Sequence, residues 1–245
     1  MQQALAKIVM AKQTMRTFSV TRLLFLFGVL VSGPLAAATA LPAPYEDLVQ
    51  VRSRNLDAVY LLPGVDFRVY SKVTIDPVQV SFRKDWVKET NRSRGMSQRI
   101  DAQDAEQIAQ TARSGFEAIF AAAFKKKGYE IATAPASDVL RLSPAIANLY
   151  INAPQPSGPA VSRSYTVEAG GATFMLEARD STTGAVLGLA IDKRATRRSG
   201  QAALTSSVTN RADFADLFTR WADICVKGFE QLKAAAPSDT GPGSR

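Results

Sequence analysis

The sequence predicts a two-layer α+β domain in which a mostly antiparallel sheet of about five strands is packed by two long helices. Two stretches carry apolar residues at intervals of three and four, the spacing of one helix face. Several others alternate apolar and polar residues, the period of a half-buried strand. A Ser-Thr-Thr-Gly segment between two alternating stretches reads as a hairpin loop. These signals fall within residues 67–235, a single domain preceded by an irregular lead-in at 41–66 and followed by a disordered tail at 236–245 (PSDTGPGSR from 237).

Residues 67–82 (FRVYSKVTIDPVQVSF) begin with Phe67, Val69, Val73 and Ile75 on one side and end with Val78, Val80 and Phe82 on the other. The phase changes at Asp76-Pro77. Proline donates no ladder hydrogen bond, so a bulge or an edge position is expected there. Residues 101–127 form the clearest helix, with Ala105, Ile108, Ala109, Ala112, Phe116, Ile119, Phe120 and Ala123 on its apolar stripe. Asp101 suits the N-cap, Lys125 to Lys127 suit the negative end of the dipole, and Gly128 suits the residue after the C-cap.

Residues 129–133 and 139–151 read as strands, with Pro144 marking a break or edge, and 152–160 as a loop. A longer strand, 161–180, changes phase at Gly170-Gly171, where a bulge or turn is expected. If Asp180 faces Ala185 across the hairpin, Ala178 meets Leu187, Leu176 meets Leu189 and Phe174 meets Ile191, giving one apolar face. Glu177 and Arg179 then lie on the opposite face, which is expected to meet solvent. The second long helix covers 210–235, with Phe214, Leu217, Phe218, Trp221, Ile224, Cys225, Phe229 and Leu232 on its stripe, so Cys225 is expected to be a buried, inert thiol.

The first forty residues read as an address. Lys7, Lys12, Arg16 and Arg22 precede the apolar run LLFLFGVLV at 23–31, the breakers Gly33 and Pro34, and small residues at the spacing a signal peptidase recognises. Cleavage is expected after Ala38 or Ala40. The apolar run is shorter than the roughly 20 residues of a membrane span. Met15 offers an alternative start that leaves a more compact signal. The only cysteine is Cys225, so the small residues are not followed by a lipid attachment site. The mature chain is therefore expected in the periplasm or secreted, and not lipid-anchored.

Of 245 residues, 30 are Lys or Arg and 22 are Asp or Glu; four of the basic and none of the acidic residues lie in 1–40, so the remainder carries 26 against 22, or +4. That mild excess, without a concentrated basic face bearing aromatics, does not point to nucleic acid. Histidine is absent, which removes histidine-dependent serine and cysteine triads and the commonest metal ligand. No phosphate-cradling glycine loop, carboxylate metal loop or dinucleotide fingerprint occurs, so neither a cofactor nor a metal is expected.

At 70–80 (YSKVTIDPVQV), 177–186 (EARDSTTGAV) and Trp221-Ala222 the chain resembles a bacterial family known as domain of unknown function 3313. The likeness spans roughly 45–235 and extends to the order of elements: a valine-rich strand ending in Asp-Pro-Val, a long helix, a leucine-rich strand, the Asp-Ser-x-Thr-Gly hairpin and a terminal helix. It implies an exported or lipid-anchored envelope protein with an α/β or α+β domain, and it implies no reaction.

Two groups of polar residues are candidates for function. Arg92, Arg94 and Arg99, together with Lys193, Arg194, Arg197 and Arg198, could contact phospholipid headgroups, acidic glycans or a partner protein of the envelope. Asp76, Glu177, Asp180 and Asp192 could in principle supply the two carboxyl groups that a glycoside hydrolase places across a cleft. A non-enzymatic binding or structural module is the leading expectation, and a carboxylate-dependent hydrolase acting on an envelope glycan is the alternative.

Overall fold

A computed structural model describes residues 41–152, 154, 164–166, 169–196, 203–205 and 207–235 of the chain. The expected cleavage positions Ala38 and Ala40, the basic residues Arg197 and Arg198, and the expected tail at 236–245 lie outside these residues. Residues 41–48 belong to a first compact unit, in which the Tyr45 amide donates to the Pro42 carbonyl and the Leu48 amide to that of Tyr45. A second unit begins at Val49 and contains the sheet and the long helices.

The second unit is mixed α+β. Its strands are β1 (Val49–Val51), β2 (Ala58–Leu61), β3 (Lys72–Ile75), β4 (Gln79–Phe82), β5 (Glu130–Ile131), β6 (Val139–Ile151), β7 (Ser164–Thr166), β8 (Gly170–Asp180), β9 (Val186–Ala195) and β10 (Ala203–Thr205). Eight of them form one sheet in the order β1-β2-β9-β8-β6-β3-β5, with β4 also on β6; β7 and β10 pair separately. The expected five strands are thus an undercount. β1 and β2 lie in the segment expected to be irregular, and at three and four residues they are too short to show a period. The β1 to β6 series is antiparallel, whereas β3 and β4 run parallel to β6 and β3 parallel to β5. Parallel pairing follows from the crossover: the chain leaves β4, passes through a long helix and returns to the sheet in the same direction.

Among the described residues three α-helices accompany the sheet: α1 (Trp86–Asn91), α2 (Ala102–Lys126) and α3 (Ser207–Ala234). α2 begins as its sequence indicates. Asp101 accepts from the Asp104 amide while Asp104 accepts from the Asp101 amide, a reciprocal box satisfying two donors that the helix leaves open. Lys127 is its C-cap, and Gly128 follows at φ +87°.

Residues 67–82 do not form one strand. Phe67–Val69 is a single 3-10 turn capped by Asp66, and β3 and β4 are separated at Asp76–Val78, where the alternation changes phase. Side chains from elsewhere hold the break. The Val78 amide donates to Glu117 on α2 at 3.0 Å, while Asp76 accepts from Arg141 and Ser143 on β6. The expected 161–180 strand is likewise divided, with β7 in the small sheet and β8 starting at Gly170. A Cβ on Gly170 would lie 2.0 Å from the Tyr150 carbonyl oxygen, so only glycine lets β6 approach here.

The hairpin keeps its expected closure, since the Asp180 amide donates to Ala185 and Gly184 takes φ +73°. The register beyond it is shifted. Arg179 pairs with Val186, but a bulge then sets Ala178 against Gly188, Leu176 against Ala190 and Phe174 against Asp192. The shift is tolerated because both faces are buried: Phe174 and Leu176 join the helix-side core, while Thr173, Met175, Glu177, Leu189 and Ile191 are buried on the other face. The expectation that Glu177 meets solvent is therefore corrected; it is 2% exposed.

The helix-side core is aromatic. Phe116 meets Phe218 edge-on at 5.5 Å between centroids, and Phe174 stacks on Trp221 at 5.2 Å, which ties α2, α3 and β8 together. Cys225 is buried within this cluster, and burial, with the Asp192 carboxylate adding to it, pushes its thiol pKa far above the ordinary value. A buried thiol kept protonated in this way is a poor nucleophile.

Candidate functional site

Each of the four candidate carboxylates is taken up by hydrogen-bond donors of the fold. Asp180 stands opposite Leu140 whereas Asp192 stands opposite Phe174 on β8, so six residues, or about 20 Å of strand, separate them along the sheet. Asp180 is a hairpin hub. Its carboxylate accepts from the amides and hydroxyls of Thr182 and Thr183 and from the Tyr70 hydroxyl at 2.9 Å. These bonds, the Thr182 hydroxyl first, hold it well below the usual carboxylate range. Asp192 is buried and accepts from Arg194, from the Trp221 indole at 2.8 Å and from the Asp57 amide at 3.2 Å, which fixes α3 on the sheet.

Asp76 and Glu177 do share a sheet face, on either side of Ser143, because Ser143 pairs with Glu177 and donates to Asp76. Each is occupied by a guanidinium. The Arg141 Nε lies 3.0 and 2.9 Å from the two Asp76 oxygens, and the Arg179 Nε lies 2.5 Å from Glu177. Arg179 also donates to the Gly184 carbonyl at 2.7 Å, carrying the constraint into the hairpin loop. A hydrolytic pair needs one carboxyl to hand a proton to the leaving group and another to meet the sugar or a water. Here Asp76 and Arg141 tie the end of β3 to β6, whereas Glu177 and Arg179 lie on one strand and brace the hairpin loop through the Gly184 carbonyl.

The basic candidates behave differently. The Trp86 indole donates to the Ile151 carbonyl at 3.0 Å, which sets α1 and the 92–99 loop beside the end of β6. Ile151 pairs with Gly170, and Gly171 pairs with Ala195, so Lys193 and Arg194 reach the same end of the sheet along β9. The two segments, a hundred residues apart in sequence, thus share one end of the unit. The β1–β2 connection joins them there, since Arg194 donates to the Asn55 carbonyl and the Lys193 amide to Asp57. That connection adds Arg52 and Arg54, both exposed.

Roles within this set divide. Arg92, Arg99 and Lys193 are exposed and, like Arg52 and Arg54, form no ion pair with a described residue. Arg94 is half-buried, donates to the Gln98 carbonyl at 3.0 Å and has its pKa lowered by burial, so it braces its own loop. Arg194 neutralises the buried Asp192 and is structural. Sequence reasoning missed Arg52 and Arg54, although the Arg-Ser-Arg spacing repeats that of Arg92 and Arg94.

Among the described residues, no three His, Cys, Asp or Glu side chains are grouped to hold a metal ion, and no helix is long and apolar enough to cross a membrane. Architecture defines the class: a mixed α+β domain built on one eight-stranded sheet, with Arg52, Arg54, Arg92, Arg99 and Lys193 exposed at one end of it. The chain belongs to the family described as Protein of unknown function (DUF3313), which matches residues 37–224. It is similar to a solved dodecameric PelC variant from Paraburkholderia phytofirmans at 15% identity and TM-score 0.31, covering 66% of this chain and 94% of that one. It is similar to protein XCC0632 from Xanthomonas campestris, of family DUF330, at 14% identity and TM-score 0.39, covering 70% and 90%. A putative neuraminyllactose-binding hemagglutinin homolog from Helicobacter pylori is similar at 11% identity and TM-score 0.26, covering 74% and 90%. A search of curated protein sequences finds no match.

Proposed function

We propose that the protein is an exported, non-enzymatic module of the cell envelope that binds an anionic envelope component through the basic end of its sheet. One observation carries the binding role: Arg52, Arg54, Arg92, Arg99 and Lys193, drawn from three separated segments, stand exposed at one end without an ion-pair partner among the described residues. Exposed like charges repel one another, and a counter-charge relieves that repulsion. Export and release into the periplasm or medium rest on residues 1–40, with cleavage after Ala38 or Ala40 and no cysteine there to carry a lipid. Intact mass and N-terminal sequencing of the protein from the extracytoplasmic fraction test the address, and a chain still beginning at Met1 or Met15 contradicts it.

The binding role is tested with the triple variant Arg92→Ser, Arg99→Ser, Lys193→Ser, using anionic vesicles and a soluble acidic polysaccharide as probes. The variant is expected to lose most binding to whichever probe the parent binds, with its melting temperature nearly unchanged, since none of the three side chains is buried. Arg194 is left in place because removing it strands Asp192. Binding by the triple variant equal to the parent, or binding of neither probe by the parent at low salt, refutes the role.

A further inference from the structure

We infer that the 92–99 loop is a membrane-surface anchor: Met96 enters the acyl boundary of a leaflet while Arg92 and Arg99 hold its anionic headgroups. This rests on the proposed binding role and names the component. Met96 is 87% exposed, against 52% and 53% for Val49 and Val69, the other large apolar side chains left open among the described residues. It sits midway along the loop in a 3-10 turn, Met96–Gln98, with exposed arginines at both ends.

The loop is braced to hold that side chain out. At its neck the Asn91 side chain makes two bonds to Ile100, donating to its carbonyl at 2.7 Å and accepting from its amide at 2.8 Å. Ile100 is itself 2% exposed within the core. Inside the loop the Gln98 amide bonds to Gly95 and Arg94 bonds to Gln98. Met96 therefore stays outside because its backbone is held there, and folding the loop back would break these bonds.

An isolated exposed methionine needs no explanation by itself. Combined with the charges around it, the arrangement matches what a leaflet offers. An unbranched apolar side chain gains by leaving water, long arginine stems lie along the interface, and their guanidiniums reach phosphates. Arg52, Arg54 and Lys193 at the same end extend the charge complementarity to an anionic surface. An acidic glycan fits less well. It provides no apolar phase for Met96, and the loop residues Arg-Ser-Arg-Gly-Met-Ser-Gln-Arg include no aromatic ring on which a sugar could stack.

The test compares the parent, Met96→Ser and the triple variant of Arg92, Arg99 and Lys193, each as the full chain expressed and processed by the cell. Binding is measured by cosedimentation with vesicles of phosphatidylglycerol and phosphatidylethanolamine, with purely zwitterionic vesicles, and with soluble polygalacturonate. Met96→Ser is expected to weaken anionic-vesicle binding about tenfold, from loss of its burial, and to leave polygalacturonate binding unchanged. The triple variant should lose about a hundredfold on anionic vesicles, at roughly fivefold per basic residue. Met96→Ser binding anionic vesicles as well as the parent, while the triple variant fails, overturns the anchor and leaves the anion-binding role standing. Binding of polygalacturonate but not vesicles by the parent overturns it in favour of a glycan. Binding of the parent to zwitterionic vesicles as strongly as to anionic ones also overturns it.

Discussion

Replacing Asp180 by alanine removes the acceptor around which the β8–β9 hairpin is organised. Two amides and two hydroxyls of Thr182 and Thr183 lose their partner in an exposed turn, where water replaces it and screening keeps the net value of each bond low. The Tyr70 hydroxyl is worse placed, because Tyr70 is 5% exposed and its bond to Asp180 closes the 3-10 turn onto the hairpin. Taking roughly 0.5 kcal/mol for each of the two amide bonds and about 1–1.5 kcal/mol for the stranded hydroxyl, Asp180→Ala should destabilise by about 2–2.5 kcal/mol. Asp180→Asn retains the Oδ1 acceptor for the turn and should lose about half of that. The carboxylate pKa is depressed in the fold, so its contribution is complete above the unfolded value, near pH 4, and is lost as pH falls through the folded value. Urea midpoints should accordingly show a gap between parent and Asp180→Ala that is full at pH 6 and narrows below pH 4. A gap under about 0.5 kcal/mol at pH 6, or one that widens on acidification, refutes the reasoning.

The same measurement separates other features. Glu177→Gln should cost about 2–4 kcal/mol, because it leaves Arg179 facing a neutral amide at a buried site, whereas Gly184→Val should cost about 1–3 kcal/mol for placing a branched residue at φ +73°. A loss under about 0.5 kcal/mol for Glu177→Gln would mean that this sheet face is open to water. Gly170→Ala drives a methyl group into the Tyr150 carbonyl and should destabilise by about 3 kcal/mol or more; a change within about 1 kcal/mol would show that the strands part easily. Burial, with the Asp180 bond adding to it, pushes the Tyr70 phenol up to about 12, so stability falls as pH rises from the unfolded value near 10 through 12. A difference titration against Tyr70→Phe should find that phenol still protonated at pH 11, and ionisation near pH 10 would contradict the burial.

Local chemistry was readable from sequence where local chemistry decides the structure. The α2 boundaries follow from Asp101, the terminal lysines and Gly128, and the hairpin closure follows from Asp180 and Gly184, because each acts within a few residues. The phase change at Asp76-Pro77 marked a disturbance in the right place. Its resolution into two short strands on β6 depends on Arg141, Ser143 and Glu117, which are distant in sequence. The hairpin register escaped for a different reason. Alternation fixes register when one face is wet, and β8 is buried on both, so Leu189 and Ile191 on the far face are as well accommodated as they would have been among the helices. For the site, the excess of arginine in 92–99 and around Lys193 was visible. That Arg194 belongs to Asp192, and that Arg52 and Arg54 arrive from the β1–β2 connection, follows only from the sheet order.

The central claim is that the unpaired basic residues at one sheet end bind an anionic component, and the salt dependence of that binding tests it most directly. Affinity for anionic vesicles should fall steeply between low and physiological salt, where exposed charges are screened beyond about 8 Å. Arg92→Ser, Arg99→Ser and Lys193→Ser should each flatten that dependence. Arg68→Ser should leave it unchanged, because Arg68 lies beside Tyr70 at the other end of the sheet and is paired with Asp66 at 2.7 Å. Equal flattening by all four substitutions, or affinity indifferent to salt, would contradict the account.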